Sequence, residues 1–224
     1  MSKRLLSAVL LLIALSAAAT AQEVEIDRYG LNARLDPAVN AVEVRAALTV
    51  TNRGQAPKDR LYFRLNKQAK ITTATVNEST ATFEVTEDRR ASALNQVLIR
   101  SPVSVPAGGQ AVVEMTYRIE AADSNPLIAA YYGEVLLAPD AIWVPMTSTP
   151  YTLYGAPTAP ISLTVSTIGG GIRGVSSGIP KEEPGGQPVT FEQQLNSLPL
   201  IVGGAFEAPA VSERAGVKII VFHR

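Results

Sequence analysis

Val42-Glu43-Val44-Arg45-Ala46-Ala47-Leu48-Thr49-Val50-Thr51 is the stretch of this 224-residue chain with the cleanest pattern. Val42, Val44, Ala46, Leu48 and Val50 fall on one side of a two-residue repeat; Glu43, Arg45, Thr49 and Thr51 fall on the other. Side chains alternate with period two only along an extended backbone, so the stretch reads as a β-strand with one face on a core. Val113, Met115, Tyr117 and Ile119 repeat the pattern against Glu114, Thr116, Arg118 and Glu120, and so do Ile161, Leu163 and Val165 against Ser162, Thr164 and Ser166. Shorter strands are expected at Leu61 to Leu65, Ile71 to Val76, Val97 to Arg100, Val189 to Glu192 and Val217 to Phe222.

Turn chemistry separates these runs. Asp36-Pro37, Asn52-Arg53-Gly54, Pro106-Ala107-Gly108-Gly109, Gly169-Gly170-Gly171 and Pro184-Gly185-Gly186 carry the residues that reverse a chain. No segment after residue 21 keeps an apolar stripe of period 3.6 beyond two turns. Many short strands with turns between them predict an all-β fold, an antiparallel β-sandwich or a set of saddle-like open sheets, with an open barrel as the variant.

The first 21 residues read differently. Ser2-Lys3-Arg4 is a basic start, Leu5 to Leu15 an apolar run, and Ala19-Thr20-Ala21 a small-residue exit. Together they form the pattern of a cleaved secretory signal, with Gln22 as the mature N-terminus. The run is marginal for the ~20 residues a membrane span needs, and no span is expected after cleavage. The expected location is therefore the periplasm or the cell exterior. Without Lys3 and Arg4 the 20 basic residues fall to 18 against 20 acidic, a balance of about −2. Nucleic-acid binders show a basic stripe or patch, and this chain has none. It also has no cysteine, so an exported fold must rest on its apolar core.

The residue inventory argues against chemistry performed by the chain alone. His223 is the single histidine, whereas zinc sites need three or four converging ligands. No catalytic, cofactor-binding or metal-binding residue is assigned. Gly169-Gly170-Gly171-Ile172-Arg173-Gly174 matches a dinucleotide fingerprint, but Val175 to Pro180 cannot supply the helix that this device needs, so the run is expected to be a β-turn. Gly174-Val175-Ser176-Ser177-Gly178 imitates a nucleophile elbow without the α/β context or a nearby histidine base. Glu182-Glu183 lies between Pro180 and Pro184, and adjacent loop carboxylates point apart.

Between Ala121 and Pro160 prolines and aromatics concentrate, with Tyr131, Tyr132, Trp143, Tyr151 and Tyr154 as candidate interface residues. Such a segment is either a packed connection between sheets, because aromatics bury large areas, or a binding surface.

The order of the strands carries a family resemblance. Tyr29-Gly30-Leu31-Asn32-Ala33-Arg34-Leu35-Asp36-Pro37 followed by Val42-Glu43-Val44-Arg45-Ala46, then Leu61 to Asn66 and Ile71 to Val76, resembles the start of the N-terminal β domain of the aminopeptidase N family of zinc peptidases. Pro106 to Tyr117, Trp143-Val144-Pro145, Ala159 to Val165, and Thr190 to Glu207 are similar to its later pieces in the same order. The resemblance implies a saddle-like domain over residues 22–209, with 210–224 a linker and strand leading toward a following domain. It implies a zinc-peptidase catalytic domain as partner, in which H-E-x-x-H and a downstream Glu would hold zinc; neither is in this chain. The family's Pro-Cys-x-Asp segment is here Pro145-Met146-Thr147-Ser148, and the acidic or amide residue it lends to a substrate's amino group would fall near Leu136, with Glu134 close by. Two functions are expected from this: a non-catalytic domain packing against a peptidase domain, or a free-standing immunoglobulin-like binding module of the cell envelope.

Overall fold

The computed structural model describes residues 24–89, 91–122, 125–131, 134–147, 159–169, 172–181, 188–193, 198–207, 210–214 and 217–221. They form strands joined by turns and two short 3-10 segments, Pro37–Val39 and Pro139–Ala141. In chain order the strands are β1 (Val24–Asp36), β2 (Ala41–Asn52), β3 (Lys58–Asn66), β4 (Ala69–Val76), β5 (Ser79–Thr80), β6 (Thr82–Glu87), β7 (Leu94–Val105), β8 (Gln110–Glu120) and β9 (Ile128–Tyr131). There follow β10 (Glu134–Leu137), β11 (Met146–Thr147), β12 (Ile161–Thr167), β13 (Arg173–Ser176), β14 (Ile179–Pro180), β15 (Val189–Gln193), β16 (Ile201–Gly204), β17 (Ala210–Arg214) and β18 (Val217–Val221).

An eight-stranded sheet, in the order β14-β15-β12-β1-β2-β8-β4-β5, is the base of the molecule. Two four-stranded sheets, β13-β16-β10-β9 and β11-β3-β7-β6, add their inner faces to the same hydrophobic core. The sheets are open, and no barrel closes among the described residues. The alternating runs behave as their pattern demands. Val42, Val44, Ala46, Leu48 and Val50, then Val113, Met115, Tyr117 and Ile119, then Ile161, Leu163 and Val165, are all buried on the core face. Thr51 departs from the pattern and is buried.

One pairing corrects the antiparallel expectation. β1 runs parallel to β12, from Tyr29 opposite Ile161 to Leu35 opposite Thr167. An apolar-polar alternation is the same whichever way the neighbouring strand runs, so period two does not encode direction. Val217 to Phe222, expected as a strand leading toward a following domain, is paired over Val217–Val221 with Ala210–Arg214 as an antiparallel hairpin.

The chain turns at three of the expected places, after Asp36-Pro37, at Asn52-Arg53-Gly54 and at Pro106 to Gly109. Asn40 is left-handed at φ 50° after the 3-10 segment that begins at Pro37. Asn52 ties two turns together: its Nδ2 donates to the carbonyls of Ala56, Val105 and Pro106 at 2.8, 3.0 and 3.2 Å, and its Oδ1 accepts from the Gly54 amide at 2.9 Å. The Pro184-Gly185-Gly186 turn, Glu182-Glu183, the first 21 residues and His223 lie outside the described residues.

Of the Gly169 to Gly174 run expected as a β-turn, Gly170 and Gly171 lie outside the described residues, and the last residue does not belong to a turn. Gly169 bends at φ 99°, but Gly174 is a strand residue of β13, paired with Gly203 of β16. Both face the large sheet at very close approach. A Cβ on Gly203 would lie 2.2 Å from Leu35 Cδ2, and one on Gly174 would lie 2.3 Å from Val165 Cγ1. Leu35 and Val165 are fully buried and have nowhere to retreat. Glycine is required here for space rather than for backbone freedom.

Gly203→Ala is therefore expected to destabilise the chain by about 1–3 kcal/mol, the usual cost of overpacking. In a Leu35→Ala background, which opens room at the same spot, the added cost should shrink or reverse sign. Urea midpoints of the four proteins measure this; strictly additive losses would mean that the two positions do not compete for space.

Candidate functional site

The inner row of the β13-β16-β10-β9 sheet is consumed by the core, so its function has to be sought on the outer row. Residues two apart on a strand share a face. Val135 and Leu137 point inward and are fully buried; Glu134 and Leu136 lie on the opposite face and are half-buried. Leu136 sits opposite Ala129 on one side and Val202 on the other, and Val202 sits opposite Val175. Leu136, Val202 and Val175 form a half-buried apolar row across three strands. Beside that row Glu134 packs over Gly204, where an added Cβ would meet its Cγ at 2.8 Å, and Arg173 pairs with Gly204 on β13. An apolar row with a carboxylate and a guanidinium alongside has the composition of an interface core with a charged margin.

The segment after β10 fixes this sheet relative to the β11-β3-β7-β6 sheet. The Ala138 amide donates to Leu127 O at 2.8 Å, and the 3-10 turn Pro139–Ala141 closes through Ile142 N to Pro139 O at 3.1 Å. Ile142 then adopts φ 51° and ψ 50°. A β-branched side chain in the left-handed region is strained by about 1–3 kcal/mol and persists only when its surroundings impose it. Asn66 does so: its amide donates to Ile142 O at 3.0 Å and its Nδ2 to Ala141 O at 2.6 Å. Trp143 is wholly buried, with Nε1 donating to Pro199 O at 2.9 Å while its own carbonyl accepts from Tyr117 Oη at 2.8 Å. Met146 and Thr147 finish the crossing by pairing with Arg64 and Phe63 of β3.

The aromatic segment thus resolves at Trp143 into a packed connection between sheets. Trp143 is a core residue of this chain and presents no surface. Tyr131 is on edge strand β9; Tyr132, Tyr151 and Tyr154 lie outside the described residues. Leu136, named as the counterpart of a substrate-binding position, is a member of the apolar row. Val175 and Val202 were not singled out from sequence, because strands of four residues are too short to display a period.

Charge is used structurally in the rest of the chain. Arg64 and Asp88 are buried on β3 and just after β6, with Nε 2.5 Å from Oδ2. The contact is a charge pair without hydrogen-bond geometry, and Arg64 Nη1 finds no hydrogen-bond acceptor among the described residues. Among those residues the one carboxylate held clearly below its ordinary range is Glu192, through hydrogen bonds from Lys181 and Ser162. It belongs to a partly exposed ion pair on the large sheet, a position worth little energy. Ser176 of the elbow-like run donates to Leu200 O at 2.6 Å, and Ser177 donates to Gln193 Oε1 while accepting from the Leu200 amide. Both hydroxyls are committed to strand ends. Among the described residues no group of three or more His, Cys, Asp or Glu side chains could hold a metal ion, and no helix is long and apolar enough to cross a membrane.

No protein-family model matches the sequence, and no curated protein matches it. Solved structures do match. An M1 zinc metallopeptidase from Deinococcus radiodurans superposes with a TM-score of 0.61 at 16% identity over 90% of this chain and 47% of that one. A two-domain M1 zinc metallopeptidase bound to L-tryptophan matches with a TM-score of 0.59 at 15% identity, over 89% of this chain and 47% of that one. LTA4 hydrolase from yeast, in complex with bestatin, matches with a TM-score of 0.61 at 13% identity, over 85% of this chain and 30% of its own. The chain spans about half the length of the Deinococcus enzyme. At these identities the likeness is one of fold, and the fold resembles the N-terminal domain of M1 peptidases, as the strand order indicated.

Burial pushes the Tyr117 phenol well above its ordinary pKa, with a further contribution from neighbouring Tyr29; burial likewise raises Tyr29. In the unfolded chain both phenols ionise near pH 10, while in the fold they stay neutral. Their contribution is present below about pH 10 and is lost as pH climbs toward the raised folded values. Tyr117→Phe should cost about 1–3 kcal/mol, because Trp143 O loses its buried donor, and should also flatten the fall in stability above pH 10. Urea titrations at pH 7 and at alkaline pH test both; an unchanged alkaline slope would mean that Tyr117 is not held neutral.

Proposed function

We propose that this chain is the non-catalytic β domain of an exported zinc-peptidase-like protein, packing against a zinc-bearing catalytic domain and helping to wall its substrate cleft. The observation that carries this reading is the outer row Leu136-Val202-Val175 flanked by Glu134 and Arg173. Its backbone is fixed from behind by Gly203 and Gly174 and from the side by the Asn66–Trp143 crossing. A face meant to bear on another domain needs that rigidity, since a loose surface would lose ordering entropy on every contact. The partial coverage of larger peptidases supports the same reading. Docking to a second domain through a modest, mixed apolar and polar surface is the ordinary geometry of inter-domain contacts. Zinc and the peptidase chemistry belong to the partner domain, and this chain supplies position and shape. Export rests on the signal-like pattern of residues 1–21.

Antiserum against the chain, applied to envelope and culture-fluid fractions of the cells that make it, tests the proposal. The expected species begins at Gln22, is held in one polypeptide or a stable complex with a zinc peptidase, and is therefore much larger than 23.7 kDa. A species confined to the cytoplasm would refute export. A lone exported protein below 23.7 kDa with no associated peptidase would refute docking and leave the free-standing binding module.

A further inference from the structure

We draw no further inference here: the strongest candidate, the surface patch on the β17–β18 hairpin, where Val211 and Val221 are exposed and no third strand joins among the described residues, carries none because nothing in the structure shows what covers it.

Discussion

The contact of Gly174 and Gly203 with Val165 and Leu35 is the constraint on which the rest of the molecule depends. Packed sheets ordinarily stand ~10 Å apart, separated by two layers of interdigitating side chains. Here one layer is missing at the closest point, so β13 and β16 settle directly onto side chains of β12 and β1. That placement sets the height and tilt of β10, which pairs with β16. It thereby decides which residues of the small sheet face outward. The same placement sets where the chain leaves β10, and the Asn66 and Trp143 contacts then have only one path to secure. Trp143 is a filler of the seam between the two smaller sheets, and its indole N–H must find Pro199 O because a buried donor left unpaired is costly.

The eight-stranded sheet was legible in the sequence because its central strands are long. β2 has twelve residues and β8 eleven, enough to show a period of two several times over. Direction was not legible: β1 and β12 are brought side by side across more than a hundred intervening residues, and neither strand records that its neighbour runs parallel. The glycines were misread for a related reason. Gly174 belongs to a Gly-rich run that has every local mark of a turn, and only its distance from Val165 shows that it replaces a side chain. Local chemistry states that a glycine is needed, but tertiary approach states why.

The candidate interface was legible only in outline. The aromatic-rich stretch from Ala121 to Pro160 marks a segment that leaves the large sheet, and its part from Leu137 to Met146 makes the crossing between the two smaller sheets. The outward row came from elsewhere. Leu136, Val202 and Val175 sit on three strands of four residues each, separated by up to sixty-six positions in sequence, and no single strand announces its share. Asn66 left a fainter trace: a polar residue closing an otherwise apolar run at the end of β3, where its amide holds Ile142 in a conformation it would not choose alone.

The central claim is that the Leu136-Val202-Val175 row is covered by a second domain in the protein as cells make it. Hydroxyl-radical footprinting reads side-chain exposure directly. It should be run on the protein isolated from its own cells and on the 224-residue chain alone. The account requires Leu136, Val175 and Val202 to oxidise readily in the isolated chain and to be protected several-fold in the native protein, while exposed Val103 and Val112 on other surfaces react equally in both. Equal oxidation of the row in the two preparations would contradict it.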